Sequence, residues 1–74
     1  MDHAEWEAKV KGMLRAEIKR RNLTYQQVVD RLAEIGVQET EANVRNKVAR
    51  GKFTAVFMMQ CLTALGVSTL HVDH

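Results

Sequence analysis

The sequence predicts an all-α domain of four to five helices, and three observations predict it. The 74 residues contain no proline, and the four glycines stand far apart at Gly12, Gly36, Gly51 and Gly66. Proline is the residue that most strongly disrupts helix interiors, so its absence leaves long helical stretches unbroken. Apolar residues recur at helical spacing in successive stretches. Thr24, Thr40 and Thr54 each stand just ahead of such a stretch, where a hydroxyl can cap the first free N–H groups. An apolar fraction of 46% with 27% charged residues fits a folded chain and not a disordered one. At this length, residues 1–74 form one domain with a small core.

The first helix is expected over about residues 4–21. Trp6, Val10, Leu14 and Ile18 recur every four residues and Met13 widens the stripe. Glu5–Lys9 and Glu7–Lys11 have the spacing of stabilising i, i+4 pairs, and Lys19, Arg20 and Arg21 close the helix where its dipole favours cations. Gly12 costs about 1 kcal/mol relative to alanine inside a helix, so it is expected to mark a close helix crossing. Trp6 reads as a core anchor, with an exposed place in a dimer contact as the other reading.

After the break at Asn22-Leu23, Thr24 opens a second helix over about 24–35, with Gln27 at the capping-box position. Val28, Leu32 and Ile35 form its apolar face, flanked by Val29 and Ala33, and Gly36 ends it. A third helix, about 41–50, follows the turn Val37-Gln38-Glu39 and closes at Gly51. Phe53 is expected to pack back on the core. The fourth helix, about 55–65, is apolar on nearly every side, which fits a central position, a subunit interface or both. Adjacent Met58 and Met59 cannot point the same way, so one of them should face something other than the chain's own core. From Val67 to His74 the alternation suits a short C-terminal strand as well as a frayed helical turn. Such a strand would pair with its own copy in a dimer.

Charge is unevenly distributed behind a formal net of +2. Between Lys9 and Arg21 lie six basic residues and one acidic, Glu17; between Asn43 and Lys52 lie four basic and none acidic. Two concentrated positive blocks suggest a directed contact with a polyanion. Cys61 is the single cysteine, which fits a reducing compartment. The acidic start Met1-Asp2-His3-Ala4-Glu5 does not resemble a signal peptide, and the longest apolar block, 55–59, is too short to cross a bilayer. The expectation is a cytoplasmic, nucleoid-associated chain.

The stretch Asn43 to Lys52 carries the functional pattern. Drawn as a helix, Val44 and Val48 share one side, while Asn43, Asn46, Lys47 and Arg50 share the other. Asparagine and arginine reach base edges with paired hydrogen bonds, and lysine suits phosphate. The plainer reading is the solvated face of an amphipathic helix. On the first turn of the second helix, Tyr25 and Gln26 stand beside free N–H groups that can hold a phosphate; they also fit simple exposure there.

From Ile18 onward the order of signals resembles the Cro/C1-type, lambda-repressor-like helix-turn-helix family. Arg20-Arg21-Asn22-Leu23-Thr24 resembles its usual entry into the second helix. Asn43 to Gly51 occupies the place of its recognition helix, and Ala64-Leu65-Gly66-Val67-Ser68 resembles the close of its fourth. The chain is also similar to a group of short bacterial proteins of this type. The departure from the family lies between Gly36 and Gly51, whose separation is longer than usual, so the turn before the third helix is extended; Val29 also stands where a small alanine is usual.

The resemblance implies sequence-specific binding of double-stranded DNA by a small dimeric transcriptional regulator. Asn43, Asn46 and Arg50 would meet base edges. Lys19, Arg20, Arg21, Thr24, Tyr25, Gln26, Arg45, Lys47 and Lys52 would meet phosphates. Met58, Met59, Leu70 and Val72 would form the homodimer interface. The alternative is a protein-interaction module on the same fold whose basic face meets an acidic partner. An enzyme is not expected, and neither cofactor nor metal is implied: His71, Asp73 and His74 with Cys61 match no established metal spacing, and no phosphate-cradling loop or paired carboxylate site is present.

Overall fold

Each helix begins where a side-chain oxygen can accept from an otherwise free N–H group. In the computed structural model, which describes residues 1–72, these helices are α1 (His3–Arg20), α2 (Tyr25–Glu34), α3 (Glu41–Arg50) and α4 (Ala55–Leu65). Asp2 caps α1 by accepting from the Glu5 N–H at 2.8 Å. Thr24, Thr40 and Thr54 cap the other three, accepting from the N–H groups of Gln27, Asn43 and Phe57. At α2 the capping box is complete, because the Gln27 side chain accepts in return from the Thr24 N–H at 2.8 Å.

The helix ends are equally well defined. α2 and α4 finish on left-handed Gly36 and Gly66, with the next residue turned back into the helix: Val37 N–H donates to the Leu32 carbonyl and Val67 N–H to the Leu62 carbonyl, each at 2.9 Å. α1 ends in the same way with Asn22 in the left-handed position (φ 56°), and Leu23 N–H donates to the Ile18 carbonyl. Asparagine tolerates this conformation better than most side chains, which is why the chain turns here without a glycine.

α2 packs on α3 and α4, and α1 packs on the same two helices. The core is the joint product of all four: Leu14 and Ile18, Val28 and Leu32, Val44 and Val48, then Phe57, Cys61, Leu62 and Leu65. Each such side chain contributes roughly 1.5–3 kcal/mol when fully buried. Phe53 closes the core beside Phe57, ring centroids 5.5 Å apart.

Several expectations are corrected by the packing. Nothing lies within 4 Å of a Cβ placed on Gly12; the close crossing belongs to Gly51, where a Cβ would stand 2.7 Å from the Glu7 carbonyl oxygen of α1. Glu7 pairs with His3 at 3.5 Å and not with Lys11. Trp6 is 48% exposed, with the Lys9 ammonium 5.7 Å from its ring centre, so it is not the core anchor. Ile35 caps the end of α2 and is 42% exposed, outside the apolar face assigned to it. Residues 67–72 form no strand: Leu70 packs against the core and Val72 is exposed. The rest of the stretch read as a strand or a frayed turn, Asp73 and His74, lies outside the described residues.

Candidate nucleic-acid interface

α3 buries only Val44 and Val48, so its angular position is fixed by two side chains with no exposed surface. At 100° per residue, Asn46 then lies opposite the core, with Arg50 and Asn43 next to it on the side toward Lys47. All three are exposed, and among the described residues none has a side-chain hydrogen bond or ion pair within the chain. The helix carrying them is held at both ends, by Thr40 at its start and left-handed Gly51 at its finish. Lys52 follows, exposed and also without a partner among the described residues.

Lys47 does not belong to that outward row. It is half-buried at the edge facing α4, where its ammonium donates to Glu39 Oε1 at 2.9 Å and lies 4.7 Å from the Phe57 ring centre. The extended turn after Gly36 makes this possible: Val37 packs against the core and Glu39 approaches Lys47 with its side chain 14% exposed. Glu39 Oε2 is buried and has no hydrogen-bond partner. Arg45, on the opposite edge of α3, pairs with Glu41 one turn earlier and stays exposed.

The basic end of α1 is divided by Glu17, a buried carboxylate. Arg21 donates to Glu17 Oε1 at 2.6 Å and to the Glu17 carbonyl, while its Nε donates to the Leu65 carbonyl at 2.8 Å. This guanidinium therefore ties the end of α1 to the end of α4, where a cation also suits the helix dipole, and its use is internal. Arg20 shares the Glu17 carboxylate at 3.2 Å but remains largely exposed. Lys19 is exposed and without a partner among the described residues. Glu17 was not legible as a clamp, because its partner Arg21 is also held by a carbonyl far away in the chain, that of Leu65.

At the start of α2, the Thr24 hydroxyl is occupied by the cap, and Gln26 donates to Asp30 at 3.1 Å. Tyr25 is half-buried against the core. These three residues, with Lys19, border a groove of about 820 Å³ that continues along α1 past Arg15 and Lys11 and reaches Glu41 at the start of α3. The groove brings the first basic block and the α2–α3 unit to one surface. Lys11 and Arg15, which border it, were not among the residues expected to meet DNA.

The four residues expected at a dimer interface fall into two places. Met58, Leu70 and Val72 line a cleft of about 390 Å³ with Trp6, Val10 and Phe53. Met59 lines a separate shallow depression of about 530 Å³ with Ile35, Val37 and Val56. Met59 and Val56 are 61% and 66% exposed, so α4 does carry uncovered apolar surface, as its composition suggested.

No grouping of three or more metal-ligating side chains occurs among the described residues. Cys61 is fully buried, and burial first, then the Glu39 carboxylate, push its thiol up to about 11 against a partial offset from Lys47. A thiol so placed is a core residue and not a nucleophile. His71 is exposed, and Asp73 and His74 lie outside the described residues. Among the described residues no helix is long and apolar enough to cross a membrane.

A family model described as a domain of unknown function, DUF6471, matches residues 6–70, and the chain belongs to that family. No curated protein and no solved structure matches it.

Proposed function

We propose that this member of the DUF6471 family binds double-stranded DNA in a sequence-specific way, as a small dimeric transcriptional regulator of the Cro/C1 helix-turn-helix kind acting on the nucleoid. The observation that carries the reading is the outer row of α3. Asn43, Asn46 and Arg50 are exposed side chains with base-reading chemistry and no partner among the described residues, on a helix capped at both ends. Arg45, at the edge of this same helix, is by contrast paired with Glu41.

In this reading α3 enters the major groove, with Lys52, Arg45, Arg20, Lys19 and the first turn of α2 on the flanking backbone. Lys47 and Arg21 support the interface from behind, through Glu39 and Glu17. A single copy offers few base contacts, so dimerisation on paired half-sites, through the apolar surface beside α4, is part of the reading. That same surface favours the second reading, a protein-interaction module whose basic face meets an acidic partner.

A salt titration of duplex binding separates the two. DNA binding predicts an affinity that falls steeply with salt, with Lys52→Gln lowering the slope of log K against log salt by about 0.9. Failure of the folded protein to bind random or genomic duplex at low salt would leave the second reading in place of the first.

A further inference from the structure

We infer that Lys11, Arg15 and Lys19 on α1 form a cationic row that seats one phosphate strand of the DNA, extending the footprint beyond the α2–α3 unit. The inference rests on the DNA-binding reading above and adds to it two residues, Lys11 and Arg15, and a direction.

The first basic block has six cations, and the structure sorts them by use. Arg20 and Arg21 are bonded to Glu17, and Lys9 lies over Trp6. Lys11, Arg15 and Lys19 have neither an acidic partner nor a hydrogen bond among the described residues. They stand four positions apart, so they share one face and span about 12 Å of helix. Successive cations in the row stand about 6 Å apart along the helix.

The row borders the 820 Å³ groove, where Ala8, Gly12 and Ala16 keep the surface of α1 low. Between the cations, the exposed residues of α1 that line the groove are Gly12 and Ala16, with buried Ile18 beneath. Glu41 is the carboxylate on the opposite wall, and its charge is offset by Arg45. The same groove ends at Asn22, Thr24, Tyr25 and Gln26. It is thus continuous with the first turn of α2 and with the start of α3. This continuity favours a phosphate strand already engaged by α3 over an acidic helix from another protein, since the strand needs no separate docking event.

The test is the salt dependence of duplex binding for the full chain and three variants, each first checked for an unchanged thermal melt. Arg15→Gln is expected to lower the slope of log K against log salt by about 0.9, and Lys11→Gln with Arg15→Gln by about 1.8. Both should weaken all duplex sequences alike. Arg31→Gln removes an equal charge from exposed α2, one turn before Ile35 and away from the groove, and should leave the slope unchanged. Wild-type slopes in Arg15→Gln and in the double variant, with duplex binding intact, would overturn the row while leaving the DNA-binding reading standing. The same result accompanied by loss of binding to a polyglutamate peptide would reassign the row to a protein partner. No duplex binding by the wild type would remove both.

Discussion

Cys61 sits in the middle of α4 with no exposed surface, and its surroundings make it a proton-holding core residue. An apolar helix such as α4 is where a small core residue is expected. The carboxylate beside it was not legible, because Glu39 arrives from the turn between α2 and α3, and no local spacing connects the two. The pH dependence follows from the direction of the shift. An acid whose pKa rises on folding, here from 9.0 to about 11, holds its proton more tightly in the folded state. Its stabilising contribution is complete below about pH 9 and is lost as the pH climbs toward 11. Urea melts of the wild type and Cys61→Ala should therefore converge over that window by up to about 3 kcal/mol. A gap that stays constant would mean the thiol titrates normally in the folded chain.

Elements were the most legible level, because capping is local chemistry. Threonine at 24, 40 and 54 and glycine at 36, 51 and 66 bracket the three later helices, and each bracket is occupied as its residue type requires. Asp2 and left-handed Asn22 do the same for α1, with less conspicuous residues. What local chemistry could not supply was which helix touches which. Gly12, inside a helix, looked like the contact point; Gly51, at a helix end, is the residue that meets α1. Both Gly36 (φ 81°) and Gly51 (φ 66°) are left-handed, so alanine at either site should lose about 1–2 kcal/mol from backbone strain. At Gly51 the added Cβ would also press on the Glu7 carbonyl and the Lys11 side chain. Gly51→Ala should therefore cost about 3–4 kcal/mol in chemical denaturation, against about 1–2 for Gly36→Ala. Equal costs would show that α1 and α3 can separate at no expense. Residues 67–72 take neither of the two forms that their pattern suited, a short strand or a frayed helical turn. Alternation over a few residues is weak evidence, and Leu70 finds its cover against the core.

At the scale of the molecule, two basic stretches distant in sequence are arranged around one groove and one outward helix row, while the apolar surface lies beside α4. Composition announced both charge and apolar excess, but folding determined which cations are internal. Arg21 and Lys47, counted with the others in the sequence, are held by Glu17 and Glu39, and this leaves a smaller, better-defined set facing outward. The central claim is that this outward set reads DNA. Selection of bound duplexes from a random pool tests it most directly, with Asn46→Ala as the comparison. The expected result is an enriched motif with a two-fold axis, lost in Asn46→Ala while salt-sensitive binding to all duplexes persists. A folded wild-type protein that enriches no sequence over the starting pool would contradict the claim.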